Sequence, residues 1–143
     1  MSKVNVYLNF KGTTEEAFKY YQSIFGGDFQ MVQRFNEVPG LPPLSPADGN
    51  KLMHIALPIT SNLVIHGTDS VDGMGPKLVM GNNVSLMVQA DSKQDADRFF
   101  RMLSASGSDI RPMKDEFWGD YYGQCTDKYG LVWMVDYEYQ KQK

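Results

Sequence analysis

The sequence is poor in the residues that build disulfide frameworks and histidine-rich metal centres. Its 143 residues include one cysteine, Cys125, and two histidines, His54 and His66. One thiol cannot form an internal disulfide, and two imidazoles cannot supply a three-histidine zinc site within one chain. The composition therefore excludes a disulfide-stabilised scaffold, a cysteine-rich metal cluster and a three-histidine zinc centre.

The chain also lacks an excess of basic residues and a long apolar segment. Its 14 Lys and Arg against 17 Asp and Glu give a formal net charge of −3, which does not favour phosphate-driven nucleic-acid binding. No apolar run approaches the ~18 residues of a membrane span, and the N-terminal segment has no apolar targeting core. We expect one cytoplasmic domain, spanning residues 1–143, that binds neither nucleic acid nor a membrane.

Aromatic residues and methionine are plentiful. The chain has 8 Phe, 8 Tyr, 2 Trp and 9 Met. Such side chains fill a hydrophobic core or line a ligand cavity, and the composition does not distinguish these roles.

The secondary-structure pattern occurs twice along the chain. Period-two alternation predicts a strand at 4–10 and again at 83–88, and an apolar stripe at helical spacing follows each one. Three more strands follow each helix, predicted at 29–35, 51–59, 62–67, 110–113, 119–126 and 131–137. We therefore expect an α+β fold of two pseudo-repeated β-α-β-β-β modules, whose curved mixed sheets surround a cavity with the helices outside.

Short polar motifs mark the predicted helix starts, and two irregular stretches separate the repeated elements. Thr13 with Glu16 predicts a capping box, and Asp91 with Gln94 predicts a second cap pair. Residues 38–46 contain too many prolines for a helix or a central strand, so we expect a long loop that caps the cavity or extends a dimer contact. Residues 69–76 are the predicted linker between module one, about 1–75, and module two, about 76–143.

Two stretches resemble a known group of proteins. The first combines residues 7–12 with 17–27, and the second combines 117–120 with 126–134. Together with the repeated module, they resemble the PhnB-like branch of the vicinal oxygen chelate superfamily, a branch sometimes labelled demethylubiquinone methyltransferase-like. The superfamily includes glyoxalases, bleomycin-resistance proteins and extradiol dioxygenases. Its members commonly pair their modules across a two-fold axis, and open sheet edges need cover, so we expect a homodimer.

The resemblance implies a divalent metal held by the first and last strands of each module. The implied ligand positions fall on Asn5, His66, Asn83 and Met134. Neutral Asn is a weak ligand and Met a soft one, so this set suits no common hard or borderline cation. We therefore expect no metal or other cofactor, with a divalent metal as the alternative.

The methyltransferase label implies a nucleotide cofactor. A doubly wound methyl-transfer domain needs a glycine loop between a strand and a helix. The candidate, Gly73-Met74-Gly75, precedes Pro76 and opens no periodic helix. We expect that the chain is not a genuine methyltransferase.

His66 and Trp118 are the strongest candidates for a site. His66 is either a cavity residue that exchanges a proton near neutral pH or a strand-end histidine bonded to backbone. Trp118 beside a glycine is either a cavity wall or part of the core. His54 alternates with apolar residues and is interpreted as a structural strand histidine. Cys125 is expected to be a buried, unreactive thiol.

Four more residues complete the predicted ligand site. Tyr122 and Met134 face the concave side of the sheets or belong to the core. Asn5 and Asn83 bind a polar ligand from the implied metal positions or pair across the sheet. The leading hypothesis is a metal-free small-molecule-binding protein with an aromatic-lined cavity. The alternatives are a metal-dependent or His66-dependent lyase, isomerase or dioxygenase acting on a small oxygen-rich substrate, and a structural domain with a collapsed cavity.

Overall fold

The computed structural model describes residues 2–139, and the chain divides into two compact units, Met1–Val79 and Met80–Lys143. Unit 1 contains, in chain order, β1 (Val6–Phe10), α1 (Thr14–Phe25), β2 (Met31–Arg34), a 3-10 turn (Phe35–Glu37), α2 (Pro46–Gly49), β3 (Leu52–Thr60) and β4 (Leu63–Asp69). Unit 2 contains β5 (Ser85–Gln89), α3 (Lys93–Ser104), β6 (Ser108–Asp115), β7 (Asp120–Thr126) and β8 (Val132–Glu138).

The two sheets have the same topology. Their strand orders are β1-β4-β3-β2 and β5-β8-β7-β6. In each, the first and last strands of the unit are parallel and the other neighbours antiparallel. One long helix packs against each sheet. The predicted α+β fold of two β-α-β-β-β modules with mixed sheets is confirmed.

Helix α1 forms the core of unit 1 with β3 and β4. Its buried stripe includes Phe18 and Tyr21, which pack toward Ile55 and Ile65 on the same face of the sheet. The approach is so close that a Cβ atom on Gly67 of β4 would lie 2.5 Å from Cε1 of Phe18. Glycine is therefore required at this position by the packing of the helix.

Helix α3 forms the corresponding core of unit 2. It buries Ala96 and Leu103. A Cβ atom on Gly123 of β7 would lie 2.6 Å from Sδ of Met113. Cys125 is 1% exposed, and burial, with Asp127 nearby, raises the pKa of its thiol to about 11. The expectation of a buried, unreactive thiol agrees with this environment.

Two buried aspartates, Asp69 in unit 1 and Asp127 in unit 2, hold neighbouring segments of their units together. Asp69 accepts hydrogen bonds from the backbone N–H of Thr14 at 3.1 Å and of Leu52 at 2.8 Å, and so ties the start of α1 to β3. Asp127 accepts from two backbone N–H groups in the turn before β8, and from Nε1 of the buried Trp133 at 2.8 Å. Buried carboxylates with such partners fix local geometry.

The helix starts differ from the predicted caps. Thr13 makes no side-chain cap bond, and its backbone (φ −114°, ψ 12°) is not in the extended conformation typical of an N-cap residue. The carboxylate of Asp69 accepts instead from the N–H of Thr14. The second cap lies one residue later than predicted, since Ser92 accepts from the backbone N–H of Asp95 at 3.0 Å. Serine and aspartate are both good N-cap residues, so spacing alone did not separate Ser92 from Asp91.

The loops and strand ends also differ in detail from the predictions. Strand β2 is shorter than residues 29–35, because a 3-10 turn begins at Phe35. The proline-rich segment ends in the short helix α2, with Pro46 in its first turn and Ser45 as its cap. Among residues 2–139, no helix has both the length and the apolar character needed to cross a bilayer.

Candidate functional site

Each sheet carries its long helix on one face, and the opposite face is called the open face below. In unit 1 the open face includes Tyr7, His54 and His66, which alternate with buried residues along their strands. In unit 2 it includes Tyr122 and Gln124, which alternate in the same way. The period-two alternation of a strand puts the apolar residues under the helix and these polar and aromatic residues opposite it.

Two histidines and a tyrosine form a compact cluster on the open face of unit 1. Nε2 of His54 lies 3.0 Å from Nδ1 of His66, so one ring nitrogen donates and the other accepts. The Tyr7 ring stacks on both imidazoles, with centroid distances of 5.7 Å. The hydrogen bond uses Nδ1 of His66 and leaves its Nε2 for other partners.

The environment of this cluster favours a neutral His66. Burial lowers the pKa of His66, and the positive charges of His54 and Lys3 lower it further. Burial also raises the pKa of the Tyr7 hydroxyl. His66 is therefore an uncharged base at neutral pH, with a protonated phenol stacked beside it.

A cavity of about 680 Å³ lies at one end of the same face. Its polar wall includes Asn9 and Thr68, which are register partners on β1 and β4. They lie two residues beyond Tyr7 and His66 along these strands, a distance of about 7 Å. The rest of the lining combines three polar or charged residues with seven others and comes from Asp69, Ser70, Lys77, Phe35, Pro42, Met74, Gly75, Pro76, Leu78 and Val79.

A groove of about 580 Å³ lies on the open side of unit 2. Trp118 is 50% exposed, and its ring meets that of Tyr122 edge to face at a centroid distance of 5.5 Å. The Tyr122 hydroxyl donates to Oε1 of Gln124 at 3.3 Å. The full lining is Ile110, Arg111, Pro112, Lys114, Glu116, Trp118, Tyr122, Gly123 and Gln124.

Charges of both signs surround Tyr122 in this groove. Burial raises the pKa of its hydroxyl, Asp136 and Glu116 raise it further, and Arg111 lowers it. Lys114 and Glu116 are 4.0 Å apart, at the limit of an ion pair. The tyrosine hydroxyl is therefore protonated at neutral pH and available for hydrogen bonding.

Three carboxylates gather beside the groove on β7 and β8. Oxygens of Asp120, Asp136 and Glu138 lie within 4.8 Å of one another. Asp136 is the register partner of Tyr122 and is buried. This part of the open face is therefore negative.

The structure brings together some of the predicted site residues. Trp118 and Tyr122 line one groove, and Met134 is the register partner of Gln124 on the neighbouring strand. His66 belongs to the other unit. Asn5 precedes β1 and Asn83 precedes β5, and both are exposed.

Sequence reasoning missed the partners of His66. Tyr7 is the register partner of His66 across the parallel pair of β1 and β4, and His54 meets it across the hairpin of β3 and β4. The predicted hairpin turn already placed the two histidines nearly opposite each other, so its register was a usable signal. Tyr7 had no such signal, because the parallel pairing of the first and last strands is a long-range feature.

The implied metal positions of unit 1 do not provide a ligand pair. Asn5 lies outside β1, and Tyr7 occupies the place beside His66. Nδ1 of His66 is already hydrogen-bonded to His54. A single free imidazole nitrogen remains.

The implied positions of unit 2 fit a divalent cation no better. Asn83 lies outside β5, and Met87 is the register partner of Met134. Two thioethers are soft ligands and do not hold a hard or borderline divalent metal. The residues present at the four implied positions therefore do not fit the superfamily's metal.

Comparison with known proteins agrees with this fold. A family model described as 3-demethylubiquinone-9 3-methyltransferase matches residues 2–136. Protein YjdN of Escherichia coli strain K12 is 27% identical over 135 residues, which cover 91% of each chain. The structure of protein PA1353 from Pseudomonas aeruginosa is 29% identical, with a TM-score of 0.82, and the match covers 96% of this chain and 98% of that one.

More distant structures share the fold. The PhnB protein from Bacillus cereus has a TM-score of 0.77 at 22% identity, covering 95% of this chain and 99% of that one. A glyoxylase/bleomycin resistance protein/dioxygenase domain from Frankia sp. EAN1pec has a TM-score of 0.64 at 16% identity, covering 96% and 98%. The match of the family model along nearly the whole chain shows that this protein belongs to the 3-demethylubiquinone-9 3-methyltransferase family, and its fold is shared with the PhnB and glyoxylase/bleomycin resistance protein/dioxygenase structures.

Proposed function

We propose that this protein binds a small organic molecule in the groove of unit 2, with Trp118 and Tyr122 as its aromatic wall. The observation that carries the proposal is a half-exposed tryptophan at the side of a groove of about 580 Å³. Ligand sites in proteins have volumes of about 300–1,000 Å³ and combine aromatic walls with a few polar groups. Tyr122 and Gln124 supply such polar groups here.

The position of Trp118 supports binding over a purely structural role. The other tryptophan, Trp133, is 1% exposed and donates its N–H to Asp127, so it serves the core. Trp118 has half of its surface in solvent although burying an aromatic ring is favourable. A planar ligand stacked on this ring would gain that burial.

The comparisons support the class of function without choosing a ligand. A structural neighbour is named for glyoxylase, bleomycin resistance and dioxygenase, and proteins that resist a drug or transform a metabolite bind small molecules. We therefore propose a role in binding a small molecule, without a bound metal. The misfit of the four implied metal positions supports the second part of this proposal.

The activity in the family's description is not part of the proposal. The segment Gly73-Met74-Gly75 lies at a turn closed by a bridge between Val71 and Met74, and irregular chain follows it. The start of α1, which does follow a strand and a glycine, is occupied by the carboxylate of Asp69. Neither the segment Gly73-Met74-Gly75 nor the start of α1 therefore offers the helix N-terminus at which a doubly wound fold binds a nucleotide.

Tryptophan fluorescence tests the proposal directly. A panel of metabolites and antibiotics is screened by thermal shift, since a ligand specific to the native state raises the melting temperature. A ligand of the groove should change the emission of Trp118 and leave that of buried Trp133 unchanged. In Trp118→Phe the fluorescence response should disappear.

A matched control variant distinguishes binding in the groove from non-specific binding to exposed apolar residues. Val84 is an exposed apolar residue of unit 2 that does not line the groove, so Val84→Ala should retain binding, whereas Trp118→Ala should weaken it by about tenfold or more. Equal affinity of both variants, or a panel without any hit, would contradict the proposal.

The cluster in unit 1 favours a second candidate function, proton transfer by His66. When Nδ1 of His66 donates to His54, Nε2 is a bare, neutral acceptor on the open face, about 7 Å along the strand from Thr68 in the wall of the cavity of unit 1. It could take a proton from a carbon next to a carbonyl, with the electron pair moving to form an enolate and the proton then returning. This reaction is an isomerase step that needs no metal.

Deuterium exchange tests the second candidate. Carbonyl compounds from the panel are incubated with the protein in heavy water, and exchange next to the carbonyl is followed by NMR. We expect exchange that slows as His66 is protonated and is lost in His66→Gln. His54→Gln, which removes a positioning residue, should shift the pH profile. Exchange that survives in His66→Gln excludes this candidate.

A further inference from the structure

We infer that the ligand of the groove in unit 2 is an aromatic acid with a single negative charge, whose ring stacks on Trp118 and whose carboxylate binds Arg111 and Gln124. This inference rests on the proposed function, because it specifies the chemistry of the same groove. Three observations lead to it: an unpaired cation, an unused amide and a limit on negative charge.

Arg111 is the unpaired cation. Its side chain forms no hydrogen bond or ion pair with any of residues 2–139, and it lines the groove. Its positive charge acts on Tyr122, whose pKa it lowers. A guanidinium group presents several N–H donors in a planar fork that matches a carboxylate. The groove therefore contains one guanidinium group that has no anionic partner in the described part of the chain and can bind a carboxylate through two N–H groups.

Gln124 provides the unused amide. It is the register partner of Arg111 on the neighbouring antiparallel strand, at a point where β6 has a register shift on either side, and both residues line the groove. Its Oε1 accepts from Tyr122, which leaves the amide N–H donors without a partner among residues 2–139. Arg111 and Gln124 can thus donate together to the two oxygens of one carboxylate.

Negative groups limit the ligand to one charge. Glu116 lines the groove and lies 4.0 Å from Lys114, so the carboxylate and the ammonium partly offset each other. Asp136 lies beside Tyr122, within the cluster of three carboxylates. A ligand with two negative charges would meet one free cation and several carboxylates, and like charges at short distance repel. The groove should therefore prefer a carboxylate to a phosphate monoester.

A series of three probes with one ring system tests the inference by isothermal titration calorimetry. 2-Naphthoate has one negative charge, 2-naphthamide has the same shape and no charge, and 2-naphthyl phosphate has nearly two charges at neutral pH. We expect naphthoate to bind about tenfold or more tighter than the amide, and tighter than the phosphate. The advantage of naphthoate over the amide should shrink as salt is added.

Variants assign the effect to Arg111. Arg111→Gln should weaken naphthoate by about tenfold and leave naphthamide unchanged, while Arg111→Lys, which keeps the charge and loses the fork, should lie between. Arg101→Gln is the matched control, since Arg101 is an exposed cation in the last turn of α3, and it should bind like the unmodified protein.

The outcomes distinguish the inference from the proposal beneath it. If the amide binds as well as the acid, or if Arg111→Gln leaves naphthoate binding unchanged, the inference is wrong while ligand binding at Trp118 stands. If none of the probes binds but another compound of the panel changes Trp118 fluorescence, the inference is again wrong. A panel without any hit at Trp118 overturns the proposed function itself.

Discussion

Units 1 and 2 fold the same strand order and place different chemistry on their open faces. Unit 1 has a pair of hydrogen-bonded histidines with a stacked tyrosine. Unit 2 contains no histidine, since both lie in unit 1, and has a groove walled by Trp118 and Tyr122 beside a group of carboxylates. The helix-facing positions are constrained by packing in both units, so the open-face positions are where the two copies differ.

The units also stabilise the starts of their long helices differently. In unit 1 a distant carboxylate, Asp69, accepts from the first turn of α1 and also from β3. In unit 2 the helix is capped locally by Ser92, and the buried carboxylate of Asp127 instead holds the turn before β8 and Trp133. Variants that remove one device from each unit test this comparison.

Removing the buried carboxylates should lower the free energy of unfolding more than any other change. Asp127→Ala leaves three donors without their acceptor, and should lower the free energy of unfolding by about 4 kcal/mol. Asp69→Ala leaves two donors, and should cost about 3 kcal/mol. Urea denaturation gives the values. Hydrogen exchange should increase first in unit 2 for the Asp127 variant and first in unit 1 for the Asp69 variant.

Adding a methyl group under each helix gives the next effect. Gly67→Ala pushes against the fully buried ring of Phe18 and should destabilise the protein by about 2–3 kcal/mol. Gly123→Ala meets Met113 first, and a flexible, half-buried methionine can move aside, so about 1–2 kcal/mol is expected. Thermal denaturation measures both. A larger loss for Gly123→Ala would show that the ring of Phe100 or the backbone oxygen of Arg111, at 2.9 Å and 3.1 Å from the added Cβ, limits the space there instead of Met113.

Removing the side chains at the two helix starts should reduce stability less, and by different amounts in the two units. Ser92→Ala removes the side-chain bond to the N–H of Asp95 and should cost about 1 kcal/mol. Thr13→Ala should cost less than that, because Thr13 makes no cap bond. Equal losses in urea denaturation would mean that the capping box predicted from Thr13 and Glu16 forms in solution.

The smallest expected effect is a pH dependence confined to His66. Its pKa in the folded chain is lower than in the unfolded chain, so the unfolded chain takes up the proton first as the pH falls. Stability is therefore complete above the unfolded pKa of about 6.5 and decreases as the pH falls toward the folded value. His66→Gln should remove this part of the dependence. The difference between the two stability curves measures it, since the shared carboxylates cancel.

The sequence predicted those features of the fold that depend on local residue patterns. Alternation and helical spacing located both long helices and all eight strands, and the repeat of Val6 and Leu8 with Val84 and Leu86 indicated the paired modules. The predicted caps were wrong: Thr13 makes no cap bond, and Ser92, not Asp91, caps α3. The bond from Thr14 to Asp69 spans 55 residues and has no local sequence signal. The resemblance carried the family assignment, which the family model confirms.

The sequence by itself determined the fold class and the repeat of the two modules, since these depend on local periodicity. Only the tertiary structure decided that His54 and His66 share a hydrogen bond under Tyr7, and that Arg111 lies opposite Gln124 in the groove. The physical reason is that both arrangements depend on strand register. A shift of one residue sends every side chain to the other face, and the register is set by packing and pairing across the whole sheet.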